Sequence, residues 1–161
     1  MRELSLQRIN EKSPYIVAPF QGGFSFTTEA GIQYSVHFTE EFAIGGCNTY
    51  QFMFSKLTKE HVALDNHIKQ TLIVIIEEFF RFNHDVLLYI CDTSDNREAF
   101  RNRLFARWFR QFAENGAFVF RSANSEIEGQ GFYAAIIVER DNPKLPAIIA
   151  DFEESARELA K

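Results

Sequence analysis

Apolar residues alternate with polar ones in three early stretches of the chain: Phe24 and Phe26, then Ile32, Tyr34, Val36 and Phe38, then Tyr50, Phe52 and Phe54. A period of two places one face of an extended strand in a core and the other in water, so three strands are predicted. Glu29-Ala30-Gly31 between the first two reads as a short hairpin loop, with Gly31 supplying a positive φ. Ala43–Asn48, which carries Gly45-Gly46, reads as a longer connection.

The period then changes. Asp65 suits a helix N-cap, and Ile68, Leu72, Ile75, Ile76, Phe79 and Phe80 recur at helical spacing up to Phe82. Val86–Ile90 is apolar on both faces, as a central strand requires. A second helix is predicted over Asn96–Glu114, stopping at Asn115-Gly116. Strands at Ala117–Arg121 and Phe132–Glu139 follow, joined by a polar loop. After Asn142-Pro143 and Pro146 comes a last helix, Ala147–Leu159. The order βββ-α-β-α-ββ-α predicts a single α+β domain over 1–161, with a mainly antiparallel or mixed sheet of about six strands and three helices. Residues 1–14 are expected to be a loosely ordered arm.

The 18 Phe make the expected core aromatic. The net charge of −5 argues against general affinity for nucleic acid or anionic membrane. Apolar runs such as Leu72–Ile76 are far short of the ~20 residues of a membrane span. Met1–Tyr15 lacks the apolar centre of a signal peptide. Cys47 and Cys91, the two cysteines, have no CxxC spacing and are expected to be reduced thiols. A soluble cytoplasmic protein is expected.

Residues 89–109 concentrate acids, arginines and rings in one strand–turn–helix. Asp95, with Glu98 three residues on, has the spacing of a capping box. On a helical wheel Arg101 lies within ~40° of Arg97 and inside the apolar stripe of Leu104, Phe105, Trp108 and Phe112. Arg103, Arg107 and Arg110 fall on the opposite side, a solvated face. A guanidinium pointed at a core keeps its proton and needs an acid, so Arg101 is expected to pair with Asp92 or Asp95. The functional alternative is that Asp92, Asp95 and Arg101 face a cleft and hold an anionic or metal-bound ligand. Cys91 is expected to be a small buried hydrophobe, with no base placed beside it.

His37, His61, His67 and His84 are scattered and HExxH is missing, so no metal is expected. The adjacent acids Glu77-Glu78 and Glu40-Glu41 diverge on any regular element. Gly45-Gly46 and Gly129-Gln130-Gly131 lack the rest of a phosphate loop.

Tyr89-Ile90-Cys91-Asp92, Asp95, Arg97, Arg101, Leu104-Phe105 and Trp108-Phe109, with Asp141-Asn142-Pro143 further on, resemble an uncharacterised family of small bacterial proteins grouped as a domain of unknown function. The resemblance runs loosely from Tyr34 to Phe152. It implies a bacterial, cytosolic, single-domain protein and carries no activity, substrate or cofactor.

The sequence thus favours a non-catalytic binding or interaction module with no cofactor. Its expected partner is a second copy or another protein, with nucleic acid disfavoured. Such a module calls for a contiguous apolar or arginine-lined surface. The alternative is an enzyme acting on a phosphorylated or anionic small substrate through Asp92, Asp95 and Arg101. The residues in question are Asp92, Asp95, Arg97, Arg101 and Trp108.

Overall fold

The alternating and helical patterns become a mixed seven-stranded sheet and four helices in a computed structural model that describes residues 1–60, 64–92, 99–114 and 116–159. In chain order these are α1 (Leu6–Lys12), β1 (Ala18–Phe20), β2 (Gly23–Thr27), β3 (Gln33–Ile44), β4 (Cys47–Lys56), α2 (Asn66–Phe82), β5 (Val86–Asp92), α3 (Ala99–Ala113), β6 (Phe118–Ile127), β7 (Gln130–Glu139) and α4 (Leu145–Leu159). The strand order is β1-β2-β3-β4-β5-β7-β6. β4 and β5 run parallel, because a helix connects them, while β5–β7 and β6–β7 are antiparallel. The class is α+β, as the pattern predicts.

Two compact units divide the chain: Met1–Thr39 with Phe52–Asn83, and Glu40–Gln51 with His84–Lys161. In the first, Tyr15, Phe26, Tyr34 and Phe54 form a ladder of stacked rings 5.0 to 6.0 Å apart. Phe38 stacks on Phe79 of α2 at 5.2 Å. Asp65 caps α2 as expected, one carboxylate oxygen accepting from the Ile68 N–H at 2.8 Å. The other accepts from the Tyr15 hydroxyl at 2.8 Å. Gly31, with φ 79°, closes the predicted loop between β2 and β3.

The second unit carries a helix on each face of its strands. Tyr89, Phe109 and Phe120 meet on the α3 side, where Tyr89 and Phe105 are 4.5 Å apart. On the other side Val86, Leu88, Ile136 and Val138 pack with Ile148 and Phe152 of α4. Alternate residues of one strand therefore serve two cores, which explains why β5 is apolar on both faces.

Several expectations need correction. The N-terminal arm contains α1: Ser5 caps it by accepting from the Arg8 N–H, and Ile9 is fully buried. Seven residues with only Leu6 and Ile9 as large apolar positions give too short a period to recognise. This makes four helices, not three. The seventh strand is β1, three residues long and containing Pro19, which an edge position tolerates. The connection over Ala43–Asn48 is instead a two-residue turn, with Gly45 at φ 59° and Gly46 at φ 75°, and β3 and β4 extend right up to it. Positive φ at both central residues is what a tight hairpin turn needs. Likewise the polar loop after Arg121 is a continuation of strand: β6 and β7 stay paired out to Ile127↔Gln130. That turn carries Glu128 at φ 53° and Gly129 at φ 81°. β6 is the last strand in the order, so its polar residues Ser122, Asn124 and Glu126 hide its strand character.

Candidate functional site

The helix-face prediction for α3 holds for its rings and for three of its arginines. Phe105 and Phe109 are almost fully buried, Trp108 and Phe112 are buried, and Arg103, Arg107 and Arg110 are exposed. Asp92 closes β5 opposite Phe132, and Arg101 lies in the first half of α3. The side chains of both, and the whole of Asp95 and Arg97, lie outside the described residues. So does His61, and so does Asn115 of the predicted helix stop. Of the predicted cluster the structure therefore places Trp108, which belongs to the core.

The exposed face of α3 does not simply meet water. It forms one wall of a cleft of about 410 Å³. That wall is Asn102, Arg103, Ala106, Arg107 and Arg110, residues on successive turns of one helix side. The floor is Cys91, Tyr133 and Asn124. Those three form a row across neighbouring strands, since Cys91 pairs with Tyr133 and Tyr133 with Asn124, so their side chains emerge on one sheet face. Tyr89, two residues before Cys91, points to the same face and packs under Phe105. The strand period thus carries the core outward until it opens into the cleft.

Among the described residues that line it, none is acidic. Arg103 and Arg107 make no ion pair or hydrogen bond with a described residue, and Arg110 has only an exposed contact to Glu114 at 3.9 Å. Burial pushes the Tyr133 phenol above its ordinary value, and the neighbouring Cys91 adds to this. The Ser122 hydroxyl and the Arg110 charge pull it back. The phenol is therefore a neutral hydrogen-bonding group at ordinary pH. Cys91 itself is partly exposed, against the expectation of a buried thiol, while Cys47 is buried. Neither cysteine is in a disulfide.

Chemically this is a basic rim over a largely apolar floor. Guanidinium forks match carboxylate and phosphate oxygens, and the two amides and the phenol supply further hydrogen bonds. Among the described residues no three His, Cys, Asp or Glu side chains converge to hold a metal. The sequence supplied the exposed arginines but not the cleft. Its floor depends on strand register, and Asn124 fell in a stretch that reads as loop.

No described helix is long and apolar enough to cross a membrane. No curated protein and no solved structure matches the chain. A family of unknown function, DUF6169, matches residues 64–154, a span that holds every residue of the cleft. Since that span is more than half of the chain, the protein belongs to the DUF6169 family of unknown function.

Proposed function

We propose that the protein is a non-catalytic binding module whose ligand is a small anion held in the cleft beside α3. The observation that carries this reading is the set of three arginines on one side of a cleft whose described lining has no acid. Three cations at the edge of an apolar hollow, of which Arg110 alone has a described acidic neighbour, repel one another, and an anion relieves that repulsion. A volume of about 410 Å³ lies within the range of small-molecule sites, roughly 300–1,000 Å³. The reading includes a bacterial cytosolic setting, supported by two cysteines that form no disulfide.

Inorganic pyrophosphate is a suitable first probe. A ligand that binds only the folded state raises its stability by mass action, by about 2.7 kcal/mol at a hundred times Kd. Pyrophosphate is expected to raise the melting temperature of the wild type and to leave the double variant Arg103→Gln/Arg107→Gln almost unmoved. Equal shifts in the two proteins would overturn the reading.

A further inference from the structure

Resting on the anion-binding reading of this cleft, we infer its ligand class: a flat organic molecule with an anionic group at each end, rather than a simple inorganic anion. The first argument is axial spacing. Arg103 and Arg110 are seven residues apart on α3, which at 1.5 Å per residue separates them by about 10 Å along the helix. A single carboxylate or phosphate accepts from one or two guanidinium forks and is too small to serve both ends of that row. Two anionic groups held apart by a spacer can reach Arg103 and Arg107 at one end and Arg110 at the other.

The second argument concerns what lies between the charges. Ala106 sits between Arg103 and Arg110 on the same wall and ends at its Cβ, so the helix surface is hollow there. Opposite it are Cys91 and the partly buried Tyr133, whose own floor is the aromatic core around Tyr89 and Phe105. Water in such a hollow finds few hydrogen-bonding partners, and an apolar ring or chain displaces it favourably. The cleft lies between a helix face and a sheet face, and a planar body can lie against both walls at once. A hydrated inorganic ion would leave the hollow unfilled.

Cys91 makes the test direct, because it lies in the cleft and the other cysteine is buried. Its alkylation by iodoacetamide, followed by mass spectrometry on the full chain, slows when the cleft is occupied. Three probes separate the requirements: terephthalate has two carboxylates across a flat ring, benzoate has the ring with one charge, and pyrophosphate has the charge without the ring. Terephthalate is expected to protect Cys91 at concentrations at least about tenfold below the other two, since only it gains from both terms. Ala106→Leu fills the hollow and is expected to abolish that advantage while leaving protection by pyrophosphate intact; Arg107→Gln weakens all three. If pyrophosphate protects as well as terephthalate, the flat body is wrong; if benzoate does, the second anionic group is wrong. In both cases the anion-binding reading stands. If none of the three protects Cys91, that reading falls as well.

Discussion

Gly45 and Gly46 occupy the two central positions of the β3–β4 turn, both at positive φ, yet they are not equivalent. An alanine at either pays about 1–2 kcal/mol for the left-handed backbone. At Gly46 the new methyl meets nothing within 4 Å. At Gly45 it runs into the backbone of Ala147 and Ile148, where α4 begins, and the Asp151 carboxylate already accepts from the Gly45 N–H at 2.7 Å. Overpacking adds about 1–3 kcal/mol. Gly45→Ala should therefore cost about 2–5 kcal/mol and Gly46→Ala about 1–2 kcal/mol in urea unfolding. Equal losses would mean that the first turn of α4 moves aside freely. Tyr15 offers a pH test at the same scale. Burial, and then its hydrogen bond and proximity to Asp65, push its phenol from 10.0 up to about 12. The folded state thus holds this proton more tightly than the unfolded chain does. The resulting stabilisation is complete below pH 10 and is lost as pH rises from there toward 12. The stability gap between wild type and Tyr15→Phe is expected to be constant near neutrality and to shrink across that window. A gap that stays constant to pH 12 would refute the assignment.

Among the elements, α1 is fastened to α2 by one charge pair. The Glu78 carboxylate is 6% exposed, and the Arg8 Nε lies 3.4 Å from it. Glu77, its neighbour, is exposed, as adjacent residues on a helix must diverge. Arg8→Ala would leave the Glu78 carboxylate buried without its counter-ion. Because the Arg8 side chain is itself 40% exposed, the cost should be about 2 kcal/mol, below the roughly 3–5 of a fully buried pair. Adding Glu78→Leu is expected to recover most of that loss in the same denaturation assay; a double variant no more stable than Arg8→Ala would show that the charge is not the cause. The elements also show what the sequence makes legible. α2 and α3 were readable because each repeats its apolar face over several turns, and β5 because it is apolar throughout. α1 and β1 were not, since Leu6, Ile9 and a proline-bearing triplet are too little to define a period. The outer half of β6 was lost for a different reason. Its strand character comes from its backbone pairing with β7, and that leaves its side chains polar. The cleft follows the same logic. Its arginines show up on a helical wheel, but its floor is Cys91, Tyr133 and Asn124 brought into line by strand register, which no local pattern encodes.

On the scale of the whole molecule, the charge of the chain and the charge of the cleft have opposite signs. The net charge of −5 repels anions at a distance, so recognition has to come from short-range contact with Arg103, Arg107 and Arg110. The screening length shrinks from about 10 Å at 0.1 M salt to about 3 Å at 1 M, so terephthalate affinity should fall as sodium chloride is raised. Its pH dependence should be unlike that of a site built on histidine or lysine. Guanidinium stays protonated to beyond about pH 12, and terephthalate keeps both charges above the carboxylate range. The titrating phenol in the cleft is Tyr133, and a phenolate there would repel the ligand. Burial raises that group above 10.0, which keeps it neutral to higher pH than a free tyrosine. Calorimetric titration is therefore expected to give one affinity from about pH 6 to 7.5, since neither arginine nor Tyr133 changes charge in that range and it stays below the value of an ordinary thiol, about 8.5, such as Cys91 on the floor. A steep fall within it would mean that a group losing its proton near neutrality, and not the arginine row, holds the anion.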